Sequence, residues 1–262
     1  MILIKTTLIS HFYNEEYLLP WWLMHHTKLF DHGILINRGS TDRSVEICKT
    51  FAPNWEIRNS KSLEFDAYLV DQEVMEIERE LTGWKMVLNT TEFLCCYNKE
   101  QFFKSLNTMG GNMFSIRMIM MIDEPTYGYT NPRYSSPLVK QRYHGIIIQP
   151  NPNQLYLNGR LIHNNSHGNY RVGRHGSHYP YSIYMEPAFI FKFFYSPWND
   201  AMKKRKLQIG PTLSQHSVQR GLGSHHLTTI KKLETKYKFY ATLTTDLRLF
   251  PEYQIIFPDL YP

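Results

Sequence analysis

The chain has 262 residues, 42% of them apolar, with 15 Phe, 18 Tyr and 5 Trp and only 20% charged, which argues against a disordered chain or a coiled coil. At about 150 residues per domain the length fits one large domain, or a core with an appendage. The net charge of +6 admits phosphorylated ligands, nucleic acid or an anionic membrane surface without choosing among them.

The segment from Met1 to Ser10 is apolar but carries Lys5 and lacks a small-residue cleavage site, so it reads as a strand and not a leader. Leu3 to Ile9, Gly33 to Ile36, Trp55 to Ile57 and Met86 to Leu88 are the expected strands. Between them, one helix is expected from an N-cap at Asn14, with Leu18, Trp22, His25 and Leu29 on its apolar face. His25 and His26 read as packing residues there. A second helix is expected from Ser40 or Thr41, burying Val45, Cys48 and Phe51, and a third carries the stripe Ala67, Val70, Val74, Ile77 and Leu81. Such alternation predicts an α/β fold: a Rossmann-like, mostly parallel sheet flanked by helices, with ligands at the strands' carboxyl ends. Those ends are residues 14–16, 37–42, 58–60 and 89–92.

Asn112 to Ile122 reads as one further strand, followed by irregular loops and short strands through Tyr181. From Pro197 the chain turns basic and helical, with four consecutive cations from Lys203 to Lys206. No internal repeat is present, and no apolar run approaches the ~20 residues that span a bilayer. Cys48, Cys95 and Cys96 have neither disulfide-framework nor zinc spacing, which points to a reducing, cytoplasmic setting. Neither G-x-G-x-x-G nor G-x-x-x-x-G-K-[ST] occurs, so dinucleotide and P-loop readings lose their support.

Three segments together carry a different resemblance: Phe12-Tyr13-Asn14-Glu15-Glu16, Asn37-Arg38-Gly39-Ser40-Thr41-Asp42, and Trp84 through Leu94. In order and spacing they resemble the glycosyltransferase family 2-like enzymes of GT-A fold, over roughly residues 3–125. The resemblance implies sugar transfer from a nucleotide diphosphate donor, a UDP-sugar first, to a glycan or lipid-linked acceptor, with inversion. It implies a nucleotide-sugar half over residues 1–125. Residues 126–262 are then the acceptor-side half and helical extension of the same domain. The family's D-x-D holds a divalent cation against the leaving diphosphate, but here Asn89 and Thr91 stand at the two Asp positions. Neutral oxygens are poor ligands for Mn²⁺ or Mg²⁺. If the strand continues, period-two alternation puts Glu92 on the other face.

Three outcomes follow: a metal-independent enzyme, which is favoured; a metal held elsewhere, for which the resemblance implies a late histidine, His163 or His167, with Glu92 as a further candidate; or a binding protein without catalysis. In the first, Lys204 and Arg205 of the basic run neutralise phosphate, although such a run is equally a solvated helix face. Asn14, Glu16, Asn37, Arg58, Asp71, Asn89 and Thr91 are the donor-contact candidates by position. An inverting transfer needs a base, and Asp123 and then Glu124, at the end of a strand, are the candidates, with turn formation as their plain alternative. Tyr127, Tyr134 and Tyr143 are candidates for stacking on an acceptor sugar.

The rivals are a non-catalytic GT-A-like carbohydrate-binding protein and, from another class, a basic nucleic-acid-binding protein. The latter has no RRM, KH or zinc signature, and no nucleic-acid partner is expected. Peripheral membrane contact through the basic, aromatic C-terminal half is a further expectation.

Overall fold

The computed structural model describes residues 4–147 and 159–260. Strand β1 (Thr6–Phe12) runs along the middle of the first sheet and is buried on both faces, as a central parallel strand should be. Leu3, the expected start of that strand, lies outside the described residues. Helix α1 (Leu19–His26), β2 (His32–Asn37), α2 (Ser44–Phe51), β3 (Glu56–Asn59), α3 (Ala67–Glu78) and β4 (Trp84–Val87) follow in the expected alternation. The four strands are mutually parallel in the order β4-β1-β2-β3.

Two helix starts differ from expectation. Asn14 does not cap α1; it sits at φ +50° and its Oδ1 accepts from the backbone N–H of Thr41 at 2.8 Å. Helix α2 begins at Ser44, because Ser40 and Asp42 accept bonds from the N–H groups of Asn14 and Glu16. These polar residues tie the first two strand ends to each other. By contrast, Asp66 caps α3 by accepting from the N–H of Tyr68 and Leu69.

Beyond β4 the chain departs from one continuing strand. It breaks at residues 88–91 and resumes as β5 (Glu92–Cys96), which joins a second sheet, so the alternation argument for Asn89, Thr91 and Glu92 does not apply. After α4 (Lys99–Thr108), the expected strand at Asn112–Ile122 is two: β6 (Met113–Ile116) in the first sheet and β7 (Met118–Ile122) in the second. Arg117 sits at the break and reaches the carbonyls of Met185 and Glu186 and the Glu252 carboxylate.

The remaining elements are β8 (His144–Ile147), β9 (Arg160–His163), β10 (Ser182–Tyr184), β11 (Ala188–Tyr195), α5 (Asp200–Leu207), α6 (Gln215–Gln219), α7 (Ile230–Ala241), β12 (Thr245–Asp246) and α8 (Pro251–Ile256). The first sheet has the order β10-β6-β9-β4-β1-β2-β3, with β9 antiparallel to both neighbours. The second, which the sequence did not announce, has the order β12-β8-β7-β11-β5. Both draw strands from each side of residue 125. Among the described residues no helix is long and apolar enough to cross a membrane.

Helix α1 locks the junction of the two sheets. The buried Trp22 indole donates to the carbonyls of Asn89 (3.1 Å) and Glu92 (2.9 Å). His26 accepts from the Leu94 N–H, and His25 meets the Leu94 carbonyl at 2.7 Å. Burial lowers both imidazoles, His25 to about 4, so these histidines are neutral packing groups, as expected.

Candidate functional site

The carboxyl ends of β1 and β4, the loop to β5, and α5 converge on a group of buried charges. Glu92 is fully buried and accepts bonds of 2.8 Å from both Nε and Nη2 of Arg160, while Lys192 Nζ stands 3.2 Å away. Burial alone would raise this carboxyl; Arg160 and Lys192 outweigh it and hold the group well below the ordinary value. Lys192 reaches Glu92 because β11 pairs with β5 in a register that sets the two residues opposite each other.

Two more carboxylates are anchored the same way. Asp71 on α3 pairs with Arg174 and accepts from the Gly173 N–H at 2.7 Å, and Arg174 also donates to Asn89 Oδ1 at 3.2 Å. Glu15, just past β1, pairs with Arg205 of α5, which also reaches Thr90 Oγ1 at 3.3 Å. Gln208 donates to the carbonyls of Tyr13 and Asn14, so α5 is docked directly on the end of β1. Each carboxylate has its own arginine.

Cations remain in surplus. Arg38 is buried, forms no ion pair among the described residues, and lies over the rings of Tyr13 (4.8 Å) and Phe65 (5.3 Å); burial lowers it to about 10. Lys206 also forms no ion pair there; its Nζ is 3.3 Å from the centre of the Phe194 ring, and burial, then Arg205 and Lys192, push its pKa well down. His226 is lowered to about 3 by burial and by His225 and these cations, which places the two histidines beside them. His11 is lowered by burial despite its 2.8 Å contact to Glu73, with Arg174 and Arg38 adding to the shift. In a partly buried site with more cations than carboxylates, an anion of matching charge would offset the surplus.

The residues do not fit a divalent cation. Asn89 Oδ1 is turned to the Arg174 guanidinium, and Glu92 is neutralised by two cations. His163 is buried against Glu78 (3.0 Å) and the Tyr170 hydroxyl (2.9 Å), and His167 meets the Tyr179 hydroxyl at 3.4 Å. His163 lies three residues along β9 from Arg160, about 10 Å at strand rise, so Glu92, His163 and His167 do not form the expected ligand set. Among the described residues no group of three His, Cys, Asp or Glu side chains is placed to share an ion.

Of the expected donor contacts the structure brings Asp71 and Asn89 into the charged cluster, with Thr91 buried in the same loop, and of the two phosphate candidates it brings Arg205. Asn14 and Asn37 serve turns at its rim; Asn37 Oδ1 accepts from the Ser40 N–H. The others lie apart. Arg58 pairs with Glu56 and Glu80 on the outer strand β3, Glu16 is exposed beside Arg43, and Lys204 is exposed on the outer side of α5.

Asp123 accepts from Ser196 Oγ at 2.6 Å and the Trp198 N–H at 2.8 Å, and Arg142 stands 3.1 Å away as an ion-pair partner. Glu124 accepts from Thr126 at 2.8 Å. Asp123 thus ties the end of β7 to the connection after β11, and Glu124 bonds within the turn after β7. Tyr134 stacks on Trp21 at 4.0 Å, and the hydroxyls of Tyr127 and Tyr143 meet at 2.5 Å.

Arg160, Arg174 and Lys192 were not singled out in the sequence, and Glu15 and Arg38 stood there only as members of the first two motifs, with no role assigned. Lys192 offered a signal: it is the lone charge in Ala-Phe-Ile-Phe-Lys-Phe-Phe-Tyr, and a charge inside an apolar strand needs a partner.

Neither a family model nor a curated protein matches the sequence. Among solved structures, S. aureus TarS in complex with UDP-GlcNAc is similar over 80% of this chain and 66% of that one, at 11% identity and a TM-score of 0.45. TarS in complex with UDP matches 50% of this chain and 38% of that one, at 15% identity and a TM-score of 0.35. Glucosyl-3-phosphoglycerate synthase from Mycobacterium tuberculosis, in complex with Mn²⁺, UDP and glucosyl-3-phosphoglycerate, matches 45% of this chain and 44% of that one, at 10% identity and a TM-score of 0.32. The chain spans less than two thirds of each of these proteins, and likeness this distant assigns no activity.

Proposed function

We propose that the chain is a glycosyltransferase that binds a nucleotide diphosphate sugar at the carboxyl ends of β1 and β4, with the diphosphate held by the protein's own cations. The observation that carries this reading is the charge balance: Glu15, Asp71 and Glu92 are each satisfied by an arginine, while Arg38 and Lys206 have no carboxylate partner among the described residues. A diphosphate supplies the missing negative charge.

In this reading Lys206 and Lys192 meet the charge that grows on the departing diphosphate, a preorganised electrostatic role that needs no reorganisation during transfer. Arg38, with the rings of Tyr13 and Phe65 against its guanidinium, forms the wall on the nucleoside side. UDP is the favoured nucleotide and inversion the favoured outcome, with a glycan or lipid-linked acceptor. Asp123, with both oxygens bonded, is read as fixing the acceptor-side wall. Glu124, half-buried at the next position, takes the base role.

A thermal-shift panel of UDP, GDP, ADP and their sugars, in EDTA and then in Mn²⁺, tests this. Nucleotide at a hundred times its Kd stabilises by about 2.7 kcal/mol, a rise of roughly 5–10 °C for a chain of this size. One diphosphate should give that shift in EDTA. No shift with any nucleotide removes the donor site, and a shift only with Mn²⁺ removes its metal independence.

A further inference from the structure

Helix α7 buries Leu233, Tyr237 and Ala241 against the rest of the protein. Its other side is unlike an ordinary solvated face. Lys232, Lys236, Phe239 and Leu243 recur at i, i+4, i+7 and i+11, which puts them on one stripe, the last just past the helix end. Phe239 is 61% exposed and Leu243 50% exposed. Lys231 and Lys238 lie together to one side of the stripe, and all four lysines are exposed and form no ion pair among the described residues. The acidic side chain of α7, Glu234, is engaged by Lys203 at 3.4 Å and does not offset them.

From this juxtaposition, unpaired lysines around an exposed Phe and Leu on a folded helix, we propose that the outer face of α7 is a docking surface for a bilayer carrying anionic phospholipids. Lysine heads at headgroup level contribute attraction to the negative surface, and the aromatic and aliphatic side chains enter the acyl boundary. A nucleic acid would satisfy the lysines but leave Phe239 and Leu243 uncovered, so the bilayer accounts for more of the face. The surface adjoins the charged cluster, since Glu234 of α7 pairs at 3.4 Å with Lys203 of α5, the helix that carries Arg205 and Lys206. Docking through α7 therefore sets that cluster beside the membrane, where a lipid-linked acceptor would be presented.

The test uses the full chain and co-sedimentation with vesicles of phosphatidylcholine alone or with a quarter phosphatidylglycerol. Binding is expected only with phosphatidylglycerol, weakening at least tenfold between about 0.1 and 0.5 M salt as the Debye length shrinks. Lys232→Glu with Lys238→Glu should weaken it by roughly a hundredfold, and Phe239→Ser by roughly tenfold. Circular dichroism and the melting curve of each variant should match wild type, since all three side chains are exposed. Equal binding to both vesicles, or none, overturns the proposal. So does a self-association in sedimentation equilibrium that Phe239→Ser abolishes, or RNA binding that Phe239→Ser leaves intact. Nucleotide binding measured on the same samples reads the donor site separately, so either result can fail alone.

Discussion

Replacing Glu92 by Gln keeps the shape of the side chain and removes its charge, leaving Arg160 and Lys192 without their counter-ion. Glu92 is 0% and Arg160 2% exposed at the side chain, so neither can regain water without opening the sheet junction. Removing one member of such a buried pair costs about 3–5 kcal/mol. Lys192, 20% exposed, can relax toward solvent, which favours the lower end. At roughly 2–4 °C per kcal/mol, the melting temperature at pH 7 should fall by about 10 °C. The dependence on pH has a definite sign. Glu92 is held below its ordinary value of 4.5, so its contribution is complete above that pH and disappears as the pH falls toward the folded value. The gap between wild type and Glu92→Gln should therefore be widest above pH 5 and narrow steadily below it. Urea unfolding at several pH values measures this. A loss under 1 kcal/mol at pH 7, or a melting temperature that Mn²⁺ alone raises in wild type but not in Glu92→Gln, would refute the assignment of Glu92 to the ion cluster.

Three further outcomes are expected. Lys206→Met should weaken nucleoside diphosphate binding roughly tenfold, about the worth of one charge-assisted bond of 1.5 kcal/mol. It should leave the melting temperature at pH 7 unchanged or higher, since a lysine whose pKa is lowered on folding opposes folding while the unfolded chain is protonated; weaker binding with a lower melting temperature would point to a packing role. Asp123→Asn should cost about 1.5–3 kcal/mol by weakening the charged bonds from Ser196 and Trp198 and removing the ion pair with Arg142, with nucleotide affinity unchanged in calorimetry. Normal stability with transfer abolished would instead make it the base. His25, lowered to about 4, contributes stability that is lost as the pH falls from 6.5 toward 4, so His25→Gln, which can keep the bond to the Leu94 carbonyl, should flatten the urea-midpoint profile in that window.

Local patterns were enough for the strand-helix alternation from β1 to β4, for α3, and for reading His25 and His26 as packing groups, because each depends on neighbours within a few turns of chain. The three segments that suggested a nucleotide-sugar site also lie close together in the structure, through Asn14 with Thr41 and through Arg205, which donates to both Glu15 and Thr90. The run from Lys203 to Lys206 was visible too, but not its division: Arg205 and Lys206 face the cluster, and Lys204 faces solvent.

What no local pattern contains is the choice of partner for each buried charge. Glu92 meets Arg160 across 68 residues, Asp71 meets Arg174 across 103, and Glu15 meets Arg205 across 190. Those distances close only when β5 leaves the first sheet to pair with β11 and α5 folds back over β1. The amino-acid order determined which segments would form strands and helices and where polar residues would gather at their ends. Tertiary packing decided which cations are taken up by carboxylates and which remain for a ligand, because the cost of burying a charge is set by what stands beside it in space.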